Sequence, residues 1–200
     1  MKSLYIVIIL LTIASCKSDD PVDPASLLPP ITTTGENTFG CLIDGKFFRP
    51  RDGRNVISSG NRGLRILRSE TNNIEIEAND FKSDFTSDIL IHVENLLSEG
   101  EGDFQINSSN GLRRLDGNNN TYMHCRIWNS DISEYQVYLS FENSGIINIS
   151  KILLDSNNGN IISGTFTGKL VNILSNQDTV IIDKGRFDIN TITLSNTTFN

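Results

Sequence analysis

Histidine is nearly missing from this chain: His92 and His124 are the two present in 200 residues. Any Ser–His–Asp or Cys–His catalytic set therefore depends on one of them, and no Gly-x-Ser-x-Gly elbow is present to seat a nucleophile. His124 adjoins Cys125, but strand neighbours point to opposite faces, so only a Cys125–His92 pairing is left open. No catalytic residue is assigned. Basic charge is also short, with 17 Lys and Arg against 24 Asp and Glu and a formal net charge of -7. A nucleic-acid binder would need a basic face, so no nucleic-acid partner is expected, although the acidity falls short of a disordered composition. Long apolar runs are absent too. The stretch from Leu4 to Ala14 is about 11 residues, where a spanning helix needs roughly 20. Helical periodicity is scarcely found anywhere.

What is present instead is period-two alternation. Tyr135, Val137, Leu139 and Phe141 share one strand face. Ile74 and Ile76 alternate with Glu75 and Glu77, which predicts a strand with one wet side. Ile89, Ile91 and Val93 alternate with Leu90 and His92, which predicts cover on both sides. Further strands are predicted at 39–43, 46–49, 55–58, 64–68, 104–107, 121–128, 146–154, 160–172 and 178–189. Turn residues separate them at Asp44-Gly45, Asp52-Gly53, Asn61 to Gly63, Asp116 to Asn118, Asn157 to Asn160 and Asn176 to Asp178. The 99–103 stretch, Glu-Gly-Glu-Gly-Asp, reads as a loop. Such a string of short strands and tight turns predicts an all-β domain, an antiparallel β-sandwich or flattened β-barrel of about 10 strands.

The N-terminus has a different character. Lys2, the apolar stretch and the small residues Ala14 and Ser15 make a secretory signal over 1–15. Ile13-Ala14-Ser15-Cys16 resembles the lipobox of bacterial lipoproteins, and this resemblance implies lipid on Cys16 and cleavage just before it. Several acyl chains would anchor the protein stably, at about 0.8 kcal/mol per buried methylene. Lys17-Ser18-Asp19-Asp20 is similar to the acidic export tag of Bacteroidota surface lipoproteins. It implies an outer-membrane protein facing the cell exterior; without it the domain would face the periplasm. Residues 16–37 hold four of the five prolines and the run Thr32 to Thr34, which predicts a disordered tether before a domain at 38–200. Export to an oxidising compartment leaves Cys41 and Cys125 as either a disulfide or two buried thiols.

Asn37-Thr-Phe-Gly-Cys-Leu-Ile-Asp-Gly-Lys46 resembles the opening hairpin of an uncharacterised all-β domain family of Bacteroidota lipoproteins. Ile162-Ser-Gly-Thr-Phe166 and Asp183-Lys-Gly-Arg-Phe-Asp188 are similar to later elements of that family. The resemblance implies address and architecture. It carries no activity and no site residue.

Several constellations bear on chemistry. His92, Glu94 and His124 could make a minimal zinc set, but nothing in their spacing requires one. Asp116 to Asn120 and Asp155 to Gly159 lack the sixth-position Gly and twelfth-position acid of an EF-hand loop. No metal or cofactor is assigned. Seven basic residues over 46–68 precede six acidic ones over 70–88, so a hairpin of 64–68 with 73–78 would carry cross-strand ion pairs; a basic patch touching anionic lipopolysaccharide or glycan is the alternative. The favoured ligand face is Tyr122, His124, Arg126 and Trp128, aligned on one side of a strand, because aromatics with polar edges suit sugar or peptide contact. The resulting expectation is a lipid-anchored, non-enzymatic binding or accessory module for an extracellular glycan, peptide or protein. A hydrolase on the same scaffold and a structural envelope protein are the alternatives.

Overall fold

A computed structural model describes residues 22–54, 59–83, 87–113, 119–155 and 159–200. Cys16, the signal segment, the acidic tag, the strand expected at 55–58 and the tips of the two Asn-rich turns lie outside these residues. The fold is all-β. Eleven strands are described: β1 (Thr38–Ile43), β2 (Lys46–Phe48), β3 (Leu64–Arg68), β4 (Ile74–Asp80), β5 (Ser87–Val93), β6 (Gly102–Ile106), β7 (Tyr122–Asn129), β8 (Glu134–Leu139), β9 (Gly145–Asp155), β10 (Gly159–Asn172) and β11 (Ser175–Asn190). One helical turn, α1 (Leu96–Glu99), follows β5, so the 99–103 stretch is divided between this turn and the start of β6 rather than forming a loop.

The strands run β2-β1-β11-β10-β8-β7-β5-β4-β3 in one antiparallel sheet that is not closed. The sheet forks at β10. Gly159 to Gly168 pair with β9, which in turn pairs with β6, whereas Val171 and Asn172 pair with β8. At the fork the backbones approach closely. A Cβ on Gly145 would stand 2.2 Å from the Thr167 carbonyl oxygen, and one on Gly164 2.4 Å from that of Asn148. Glycine at these positions is a steric requirement. Asp44 and Gly45 join β1 to β2 with φ of 47° and 74°, the positive pair that a two-residue hairpin needs. A parallel bridge between Arg51 and Asp80 draws the segment after β2 onto the end of β4.

The inner faces meet in a single core. Phe39 and Cys41 of β1 join Ile74, Ile76, Ile89 and Ile91 on the opposite side, with Met123, Cys125, Phe166, Ile182 and Phe187 between. Phe166 centres an aromatic group, 5.4 Å from Phe39 and 6.3 Å from Phe187 between ring centroids. Burial of each large apolar side chain contributes about 1.5–3 kcal/mol.

Three local expectations change. The apolar face of β8 turns outward: Gln136 and Tyr138 are buried, while Tyr135 is 40% exposed and Phe141, just past the strand, equally so. The expected wet side of β4 is dry, since every residue from Ile74 to Asp80 is buried. The β10–β11 turn is Ile173-Leu174 rather than Asn176 to Asp178, with Leu174 80% exposed and its N–H donated to Asn172 Oδ1 at 2.9 Å. By contrast, β5 is covered on both sides, with Leu90 and His92 as deeply buried as Ile89 and Ile91.

The stretch before β1 is docked on the domain, which differs from a free tether. Asp188 of β11 is buried and accepts from Thr32 Oγ1 (2.7 Å), Gly35 N (2.9 Å), Thr34 N and Glu36 N (both 3.1 Å) and Ser163 Oγ (2.6 Å). Arg186 adds a bond to the Pro29 carbonyl. Burial acts to raise the Asp188 pKa, but the bonds from Ser163, Thr32, Glu36 and Gly35 outweigh it and hold the carboxyl below its ordinary value.

Candidate functional site

Period-two geometry places one residue set on the outer face of β3, β4, β5, β7 and β8. Register aligns Glu75 with His92 and Tyr122, Glu77 with Leu90 and His124, Asp88 with Arg126, and Trp128 with Tyr135. The expected face of Tyr122, His124, Arg126 and Trp128 is therefore formed, but it divides in two. Tyr122 and His124 are buried, while Arg126 and Trp128 lie toward solvent.

The buried half is covered by the segment following β6. Asn107 donates to the Thr121 carbonyl, and Ser109 to that of Ser140. Ser109 Oγ and His124 Nδ1 share a hydrogen bond of 3.0 Å, and Tyr122 donates its hydroxyl proton to the Leu112 carbonyl at 3.3 Å. Arg113 then closes the crossing, 3.0 Å from Asp88 and 3.6 Å from Glu77. A strand side that alternation marks as wet is thus dried by a strap from elsewhere in the chain.

Under the strap the carboxylates differ in their partners. Glu77 pairs with Arg65 and Arg113, which realises the ion-paired β3–β4 hairpin. Asp88 holds Arg126 at 2.7 Å as well as Arg113. Among the described residues, the charged partner facing Glu75 is His92, whose Nδ1 stands 3.8 Å from Glu75 Oε2, too far for a hydrogen bond. The His92 ring stacks on Tyr122 with centroids 4.6 Å apart. Tyr122 lies 6.1 Å from His124 on its other side and separates the two imidazoles. Burial, reinforced by the positive charges of Arg113 and Arg126, pushes the His124 pKa down to about 4, so this ring is neutral at pH 7. Burial, with the charge of Glu75, pushes the Tyr122 hydroxyl up.

The open half is an aromatic shelf. Trp128 and Tyr135 meet edge to face, 5.0 Å between centroids at 75°. The Arg126 guanidinium lies 5.0 Å over the Tyr135 ring, with its side chain 46% exposed and its nitrogens tied to Asp88. A guanidinium fixed in this way is pre-organised, and its bond to Asp88 leaves it stacked on the ring.

Other sequence-derived groupings are placed as follows. Cys41 and Cys125 are both wholly buried in the core as free thiols, the second of the two arrangements expected. Burial raises both thiol pKa values, and for Cys125 the nearby negative charge of Asp88 adds to it. Cys125 opposes Ile89 on the inner side and His92 faces outward, so the two are not brought together. Glu94 lies past the end of β5 and donates its backbone N–H to Thr121 Oγ1. Among the described residues, no group of three His, Cys, Asp or Glu could hold a metal ion.

Glu75, Glu77, Asp88, Arg113 and Tyr135 belong to this site and are missing from the face drawn from the sequence. Glu75 and Glu77 carry a signal, being alternating acids in a predicted hairpin, where Glu77 opposes Arg65. Arg113 carries none, because it sits on a loop whose path is set by the fold. Comparison with known protein families, curated proteins and solved structures finds no match to this chain.

Proposed function

We propose that this protein is a lipid-anchored surface module that binds an extracellular glycan or peptide on the shelf of Arg126, Trp128 and Tyr135. The observation that carries this reading is the shelf itself: two aromatic rings and a pinned guanidinium gathered on the outside of the sheet. Aromatic faces supply contact area at low conformational cost, and the guanidinium supplies directional donors. The lipobox-like sequence ending at Cys16 supports attachment to the outer membrane, and the Lys17 to Asp20 tag supports an outward orientation. A binding role is favoured over hydrolysis because both histidines are buried, and a neutral His124 beneath the strap is poorly placed to meet substrate.

Two experiments test the reading. Membrane fractionation of Cys16→Ala should find the domain released; retention in the membrane contradicts the anchor. Oligosaccharide and peptide arrays probed with the chain from residue 17 onward should give ligands whose binding is weakened by Trp128→Ala and by Tyr135→Ala. Ligands bound equally by both variants would show that the shelf is not the binding surface.

A further inference from the structure

A cleft of about 660 Å³ lies between the docked N-terminal segment, β2 and the C-terminal residues and shares no residue with the shelf. That volume is within the ordinary range for small-molecule sites. Its walls are apolar and mainly planar: Phe39, Phe47 and Phe199, with Pro29 facing them from the N-terminal segment. Its side-chain charges are unbalanced, and the main-chain carboxylate at Asn200 also borders it. Arg51 and Asp80 neutralise each other through two bonds of 2.7 Å. Arg49 is exposed and has no hydrogen bond or ion pair among the described residues. Among the charged side chains lining the cleft, one cation is therefore left over beside an aromatic pocket.

We infer that this cleft binds a small amphipathic anion. The planar or acyl body sits between the phenylalanine rings, and a carboxylate, sulfonate or phosphate meets the Arg49 guanidinium, which can hold such a group through paired N–H donors. Apolar walls supply affinity, and the unpaired Arg49 side chain selects anions over neutral molecules of the same shape. The site is separate from the Trp128 shelf, so neither stands or falls with the other. Phe47 also lines a second cleft of about 420 Å³ with Ile43, Ile127 and Tyr138.

The test uses 8-anilinonaphthalene-1-sulfonate, an aromatic anion, and its neutral analogue N-phenyl-1-naphthylamine, with fluorescence as readout. The chain from residue 17 onward keeps every described residue and is the species titrated, with near-ultraviolet circular dichroism confirming the native fold. Saturable binding of the sulfonate is expected. Arg49→Gln should weaken it about fivefold, the scale of one exposed charge interaction, and leave the neutral probe unchanged. Phe47→Ala should weaken both, and Trp128→Ala neither. Three results overturn the inference: no saturable binding by folded protein, an Arg49→Gln variant that binds both probes as the parent does, or loss of sulfonate binding in Trp128→Ala.

Discussion

His92 Nδ1 lies 3.8 Å from Glu75 Oε2 in a part of the sheet that solvent does not reach. Among the described residues, neither His92 ring nitrogen, nor that carboxylate oxygen, has a hydrogen-bond partner. Two polar side chains thus face each other in a dry place without a bond, and an unmet polar group there costs about 1–3 kcal/mol. Replacing either by an apolar group of similar shape removes an unmet polar group rather than a bond. His92→Phe, which keeps the stack on Tyr122, should therefore gain about 1–3 kcal/mol in urea unfolding. Adding Glu75→Met should raise stability again. A double variant less stable than the parent would contradict this.

His124 gives a separate dependence on pH. Its folded pKa is lowered from 6.5 to about 4, first by burial and then by Arg113 and Arg126. Between those values the unfolded chain takes up a proton that the native ring refuses. The stabilisation is complete above about pH 6.5 and is lost as pH falls toward 4, on the order of 3 kcal/mol in total. Urea midpoints measured from pH 7.5 to pH 4 should show this slope, and His124→Asn should flatten it. An unchanged slope in the variant would mean that another group titrates.

Asp188 acts at lower pH. Its folded pKa lies below the ordinary 3.8 despite burial, because Ser163, Thr32 and the backbone N–H groups of Glu36 and Gly35 bond the carboxylate. This contribution is present above the unfolded value and disappears as pH falls through the folded one. Asp188→Asn should release the N-terminal segment at neutral pH and cost about 1.5–3 kcal/mol through loss of the charged bonds. Limited proteolysis near residues 29–36 should accelerate in the variant. Equal protection in both proteins would show that the segment is held by other interactions.

The two core cysteines should be silent in the native state. Cys41 and Cys125 are buried free thiols whose pKa values are raised by burial, and the reactive species is the thiolate. The chain from residue 17 onward should show no reaction with a thiol reagent when folded and two thiols per chain once unfolded without reductant. No thiols in the unfolded state would establish a disulfide instead.

The all-β class is legible in the sequence because strand alternation and turn residues are local signals. So is the β3–β4 hairpin, where Arg65 opposes Glu77. What escapes depends on partners distant in sequence. Glu75 and Glu77 look wet because nothing nearby announces the strap that carries Ser109 and Arg113 over them. The N-terminal segment looks like a tether because its anchor, Asp188, lies more than 150 residues away. Tyr135, Val137 and Leu139 alternate as cleanly as any core face, yet period two states that residues share a side, not which side faces inward. For the site, alternation alone aligns Tyr122, His124, Arg126 and Trp128. Their division into a sealed half and an open half follows from the strap.

Trp128 is the single tryptophan of the chain and forms the shelf with Tyr135, so its fluorescence reports the proposed binding surface directly. Titration with a ligand recovered from the arrays should shift or quench that emission saturably, at the concentration where the array shows half-maximal binding. Tyr135→Ala should weaken the response by about tenfold, the scale of one aromatic stacking interaction. A ligand that binds while the Trp128 emission stays unchanged would contradict binding at the shelf.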